Sequence, residues 1–320
     1  MTNTNQAIHL GATQSFHSQP LLAGLVEVPG VAYRASATRT IDECTMKALR
    51  GEFDAAEMSL ATFVKVRERD DTLVGLPVFA RKLVSQYAFC RDGAALSGYE
   101  SLAGKRIAVP QYWLTAALWH RWYLAMYGVD PASVVWCPLA DDRLEAMPYP
   151  DGVQIDWSLK GRGPSDVLRS GHADCFIFAR RPLDMKGLRY LSPDPAAQAL
   201  ALARRTGVVP VTHVIAVRAA LLAERPGLAE ALVELYTRAL HYAAQEVAHE
   251  AAQFLPLGDL EQDRTRAALG NDWNAYGWRA SEPALRTFCE AAVSQGMVRK
   301  VDLDSAFVQL EPESPRGEPC

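Results

Sequence analysis

Short apolar runs alternate with longer amphipathic stretches along most of the chain, and this alternation constrains the fold more than any other feature of the sequence. Repeated strand–helix–strand order builds βα units, so the pattern predicts an α/β fold with mainly parallel sheets flanked by helices. The apolar runs expected to be strands are 7–12, 54–58, 84–90, 106–109, 134–137, 173–178 and 213–217. A helix is expected over 113–127, where Leu114, Leu118, Trp122 and Ala125 share one side and Gly128 supplies the stop. A second is expected over 228–253, with Leu228, Leu232 and Leu235 at helical spacing. Glu246, His249 and Glu250 share a face of it, which reads better as a solvated face than as a metal site.

At 320 residues, 49% of them hydrophobic, the chain can bury a large core, and its length predicts two lobes. Residues 1–103 are expected to begin lobe 1, 104–211 to form lobe 2, and 212–310 to return to lobe 1. The Pro- and Glu-rich stretch 311–320 is expected to be a disordered tail. A net charge of -4 offers no basic stripe, which argues against a nucleic-acid partner. No window approaches the roughly 20 apolar residues that span a bilayer, so no membrane role is expected. The first residues carry neither a basic cluster nor an apolar run of signal-peptide length, and the six cysteines form no CxxC pair. A cytoplasmic protein with free thiols is the simplest expectation.

Neither GxxxxGK[ST], GxGxxG after a strand, HExxH nor GxSxG occurs. What remains is polar residues at expected strand ends, where open α/β sheets bind their ligands. Gln14, Ser15 and His17 follow the first run, Glu57 and Ser59 end the second, and Arg81 precedes the third. Tyr112, Thr115 and Trp119 open the helix after Val109, whose free amides favour an anion. Thr115 as a simple cap or packing residue and Trp119 as core are equally good readings. Arg162 lies in a Gly-rich turn before a helix, and Arg180 and Arg181 follow a strand. Loop arginines are usually surface residues, but an adjacent pair at a strand end strengthens an anion-binding reading. His213 ends a candidate hinge and is more often a hydrogen-bonded, partly buried histidine than a catalyst.

The stretches FDAAEMSLATF at 53–63, GLPVF at 75–79, LAGKRIAVP at 102–110 and TAALWHR at 115–121 together resemble the 4,5-dihydroxyphthalate decarboxylase family. YGVDP at 127–131, TGVVPVTH at 206–213 and AYGW at 275–278 extend the resemblance over nearly the whole chain. It implies a two-lobed, type II periplasmic-binding-protein-like fold and a cytoplasmic enzyme that removes one carboxylate from an electron-rich aromatic acid. It implies no organic cofactor, leaves a divalent metal open, and is compatible with a homodimer. On this reading Arg81 and Arg180 or Arg181 hold carboxylate, Ser59, Tyr112 and Thr115 orient it, Trp119 and Arg162 complete the pocket, and His17, Glu57 or His213 is the acid.

The chain departs from the family pattern twice. Gln14–Ser18 stand where relatives carry an Asp-x-Asp-Arg-Thr-like stretch, and Val84-Ser85 stand where they carry Arg-His. Loss of two cationic positions implies a substrate other than dihydroxyphthalate itself. The resemblance leaves two further readings: a non-catalytic binding protein of the same fold, and a lyase or dehydratase of a non-aromatic acid. The pyrimidine synthase of thiamine biosynthesis shares the architecture, but its cysteine cluster is missing here.

Overall fold

The computed structural model describes residues 6–145 and 147–312. The chain divides into two compact units: the first holds Met1–Arg81, His213–Leu285 and Val301–Cys320, the second Lys82–Thr212 and Arg286–Lys300. In chain order the strands are β1 (Ile8–Thr13), β2 (Tyr33–Thr38), β3 (Ala55–Ser59), β4 (Leu73–Arg81), β5 (Ala88–Arg91), β6 (Arg106–Val109), β7 (Val135–Pro138), β8 (Gln154–Ile155), β9 (Cys175–Ile177), β10 (Leu188–Tyr190) and β11 (Val211–Arg218).

In the first unit the sheet order is β2-β1-β3-β11-β4. β1 pairs in parallel with β2 and β3, whereas β11 returns antiparallel to β3, with His213 opposite Ser59 and Ile215 opposite Glu57. Apolar side chains of β1, β4 and β11, such as Leu10, Val78 and Ile215, pack on Leu232, Leu235, Tyr236 and Ala239 of the helix Leu228–Phe254. Each fully buried Leu or Ile contributes about 1.5–3 kcal/mol relative to exposure. Gly11 is required by close packing, because a Cβ there would lie 2.3 Å from the ring of Phe53. Gly11→Ala is therefore expected to lower unfolding free energy by about 1–3 kcal/mol in chemical denaturation. An unchanged midpoint would show that the ring yields freely.

The second unit carries the order β10-β5-β9-β6-β7-β8. From β9 through β6 and β7 to the edge strand β8 the pairing is parallel, while β5 pairs antiparallel with both β9 and the other edge strand, β10. The helix expected over 113–127 is Thr115–Met126, and Gly128 follows with a φ of 73° that favours glycine. The long helix expected over 228–253 is Leu228–Phe254, and Glu246, His249 and Glu250 on it are exposed. Among the described residues, no helix is long and apolar enough to cross a membrane.

Three expectations need correction. The first crossover lies after Arg81 rather than near 103, because β5 bonds β9 and β10 and so draws 82–103 into the second unit. A further segment, Arg286–Lys300, also joins that unit, so the return was not a single block. The run 84–90 is a single 3-10 turn, Val84–Gln86, followed by the short β5, and Arg81 ends β4 rather than preceding a strand. β4 escaped notice because Gly75 and Pro77 interrupt its apolar pattern; an edge position, which β4 holds, tolerates proline. The expected tail lies outside the described residues from 313 onward.

Candidate active site

Three neighbouring strands bring the first unit's ionisable residues to one point. Glu57 projects from β3, with β1 on one side and β11 on the other. Because His213 pairs with Ser59 in antiparallel register, it stands diagonal to Glu57 on the same face, within side-chain reach. His213 donates through Nδ1 to Glu57 Oε1 at 2.7 Å. Thr13, the last residue of β1, donates to Glu57 Oε2 from its backbone N–H at 3.0 Å and its hydroxyl at 2.5 Å. His17 Nε2 lies 3.8 Å from Oε1. The carboxylate of Glu57 is only 1% exposed, so every donor it has comes from the protein.

The electrostatics follow from this geometry. Desolvation alone would raise the Glu57 carboxyl, but the His213 hydrogen bond, the electrostatic pull of the neighbouring His213 and His17 rings and the Thr13 hydroxyl outweigh it. The result is a buried carboxylate held well below its ordinary range. Burial pushes His17 below the usual histidine value; Glu57 opposes that and the neighbouring His213 reinforces it. Glu57 is thus a fixed anion, burial disfavours charge on His17, and His213 is the ring that Glu57 orients through Nδ1. Ser15 Oγ sits 3.4 Å from His17 Nε2, the same nitrogen that faces Glu57. A nucleophile relay needs opposite ring nitrogens, so Ser15 is not primed as a nucleophile. Its hydroxyl instead meets Ser18 Oγ at 2.9 Å, and Ser18 donates to the Thr13 carbonyl.

The other expected site residues are spread more widely. Ser59 is buried, with its N–H on Thr45 Oγ1 at 3.1 Å. Arg81 is committed to its own unit, donating to the carbonyls of Ala275 (2.6 Å) and Ala280 (3.2 Å) and to Ser281 Oγ (2.6 Å). Burial lowers its guanidinium to about 10, still ionised at neutral pH. In the second unit Thr115 is buried, whereas Arg162, Arg180 and Arg181 are exposed. One open choice is decided there and one expectation corrected. Trp119 is fully buried and donates from its indole to the Val211 carbonyl at 2.9 Å, which favours its reading as core over a place in the pocket. Tyr112 is buried with its ring 4.0 Å from the guanidinium of Arg121, so it supports that cation.

Sequence reasoning passed over Thr13, His120 and Arg121. His120 and Arg121 lie inside the TAALWHR stretch, which carried the resemblance without giving either a role. His120 is buried between the Tyr99 hydroxyl (2.6 Å) and the Phe178 carbonyl (2.8 Å), and burial pushes it down to about 4. An apolar cavity of about 840 Å³ also opens in the first unit, walled by residues including Phe16, Leu240, Leu257 and Trp273. None of His17, Glu57 or His213 lines it, although Phe16, the chain neighbour of His17, does. Among the described residues no group of three or more His, Cys, Asp or Glu is arranged to hold a metal ion.

The two depressed histidines predict an acid-side instability. An unfolded histidine titrates near 6.5, so below that pH the unfolded chain takes up protons that folded His17 and His120 refuse. Their contribution is fully present above about pH 6.5 and is lost as pH falls toward the folded values. For His120 the loss is on the order of 3 kcal/mol in total. The melting temperature is expected to fall steadily between pH 6.5 and 5, before most carboxylates titrate. A flat profile there would contradict the buried neutral rings.

No protein-family profile matches the chain. Among curated proteins it is 27% identical over 295 residues to a 4,5-dihydroxyphthalate decarboxylase of Comamonas testosteroni, covering 87% of this chain and 89% of that one. It is 29% identical over 173 residues to a 4,5-dihydroxyphthalate decarboxylase of Pseudomonas putida, covering 51% of this chain and 67% of that one. The resemblance read from the ordered motifs is thereby borne out. Among solved structures, the periplasmic aliphatic sulphonate binding protein of Escherichia coli superposes with a TM-score of 0.62 at 11% identity, covering 98% of this chain and 96% of that one. A protein of Archaeoglobus fulgidus gives 0.56 at 14% identity, covering 93% and 100%. These likenesses bear out the periplasmic-binding-protein fold.

Proposed function

We propose that this relative of the 4,5-dihydroxyphthalate decarboxylases is itself a carboxy-lyase acting on a hydroxylated aromatic acid, with Glu57 and His213 as its acid machinery. The observation that carries the reading is the buried Glu57 carboxylate bonded to His213 Nδ1, in a chain similar to decarboxylases over 87% of its length. Decarboxylation of such an acid exchanges carbon dioxide for a proton on the ring carbon. A ring hydroxyl pushes electron density onto that carbon, and His213 in its cationic form delivers the proton through Nε2. The carbon–carboxylate bond then breaks, carbon dioxide leaves, and the bonding pair restores the aromatic ring. Glu57 stabilises the imidazolium before transfer, and solvent reprotonates the ring afterwards. The reading needs no organic cofactor.

A cytoplasmic setting agrees with the thiols. Cys90 and Cys175 are register partners on β5 and β9, and both are free and buried, as a reducing compartment keeps them. The test is carbon dioxide release from a panel of hydroxylated benzoates and phthalates. Release from at least one member is expected; tight binding across the panel with no release would favour a binding protein of the same fold.

A further inference from the structure

The apolar cavity of the first unit takes no part in the proposed chemistry. Its walls come from the helix Leu228–Phe254, from the helix Gly258–Leu269 that follows, and from the turn at 271–275. Leu240, Ala244 and Val247 stand at helical spacing on the first helix and so present one face to it. Leu255 and Leu257, between the two helices, are 61% and 62% exposed although they line a concave surface. Apolar side chains left facing an open concavity gain burial only when something fills it. About 840 Å³ is the room of a small organic molecule, whose sites usually measure roughly 300–1,000 Å³.

The polar lining narrows the ligand class. Gln262 Oε1 accepts from Arg266 Nη2 at 3.1 Å, whereas Nε2 is shut off from solvent and has no hydrogen-bond partner among the described residues. A modest turn of that amide offers the unused donor to an oxygen inside the cavity. Trp273, half-buried in the wall, supplies a flat indole for stacking. The charged lining residues Glu261, Arg266 and Asp272 are all exposed and of mixed sign, so a charged ligand would give up its water for little return. From this lining we infer that the cavity is a second ligand site, built for an uncharged aromatic molecule that carries an oxygen acceptor, as a neutral phenol does. None of His17, Glu57 or His213 lines it, so the site does not rest on the decarboxylase reading.

Calorimetric titration of the full chain with 2-naphthol at neutral pH, where that phenol is uncharged, tests the site. Wild type is expected to bind it with a Kd on the order of 10–100 μM. Binding of 2-naphthoate and of the cationic (2-naphthyl)methylamine should be about tenfold weaker or more. Ala244→Trp, at an exposed position on the wall, should fill the cavity and weaken 2-naphthol about tenfold or more at an unchanged melting temperature. Gln262→Leu should weaken 2-naphthol about fivefold, the scale of one neutral hydrogen bond, and leave naphthalene, which has no oxygen, about as before. Saturating phthalate should leave 2-naphthol binding unchanged. Failure of wild type to bind 2-naphthol at millimolar concentration overturns the site, as does an Ala244→Trp variant that binds it like wild type. Equal binding of the acid or the amine overturns the uncharged class, and an unaltered 2-naphthol affinity in Gln262→Leu overturns the oxygen contact. Competition by phthalate would place 2-naphthol in the decarboxylase site instead, and loss of binding as the protein doubles in mass would give the cavity to a second copy of the chain; either result overturns the inference.

Discussion

Glu57→Gln is expected to cut turnover by about 10³-fold or more while leaving carboxylate binding within a few-fold. The reason lies in the donors around the carboxylate. Oε2 receives two of them, both from Thr13, so an amide must place its oxygen there. Its NH₂ then faces His213 Nδ1, where the carboxylate had accepted a hydrogen bond at 2.7 Å. Two donors cannot face each other, so His213 must turn a bare Nδ1 toward the amide. The ring then lacks the carboxylate that stabilises positive charge on it while its Nε2 proton is passed to the substrate. The variant therefore loses the acid without losing the pocket, and a kcat/KM fall made up almost entirely of kcat is the expected signature. A variant within tenfold of wild type in kcat would remove Glu57 from the chemistry.

Arg121→Ala is expected to destabilise the fold by about 3–5 kcal/mol, comparable to deleting a buried aromatic side chain. The guanidinium is fully buried over Tyr112 at 4.0 Å, with Trp113 at 5.3 Å and Trp136 at 5.5 Å. Nε donates to Gln295 Oε1 at 2.6 Å and Nη1 to the Tyr112 carbonyl at 2.9 Å, while Nη2 has no hydrogen-bond partner among the described residues. Truncation opens a cavity and strands the Gln295 oxygen. Arg121→Met, which refills the volume without a charge, should recover most of the loss, because a buried cation is costly to desolvate. Chemical denaturation separates the outcomes: an alanine variant within 1 kcal/mol of wild type would mean that the aromatic box closes over the gap.

The fold was legible where burial is continuous. The apolar runs of β1, β3, β6 and β11 announce themselves, and so do the two long helices. β2, with a burial pattern alternating between exposed and half-buried, and β4, with its Gly75 and Pro77, do not. The site was legible as a set but not as an order. His17, Glu57 and His213 could each be named from strand ends, yet their division of labour depends on the register that sets His213 beside Glu57 across 156 residues. No local pattern encodes an antiparallel return of that separation. Tyr112 misled, and Trp119 stayed open, because an aromatic residue near a helix start looks the same in sequence whether it faces a ligand or the core.

Turnover in heavy water, with the product read by proton and deuterium NMR, separates ring protonation from binding alone. One deuteron is expected on the ring carbon that carried the lost carboxylate, with one carbon dioxide per product, and both should be lost in Glu57→Gln. Acids that bind to the wild-type protein and remain unchanged, with neither gas nor ring deuterium, would contradict the decarboxylase reading.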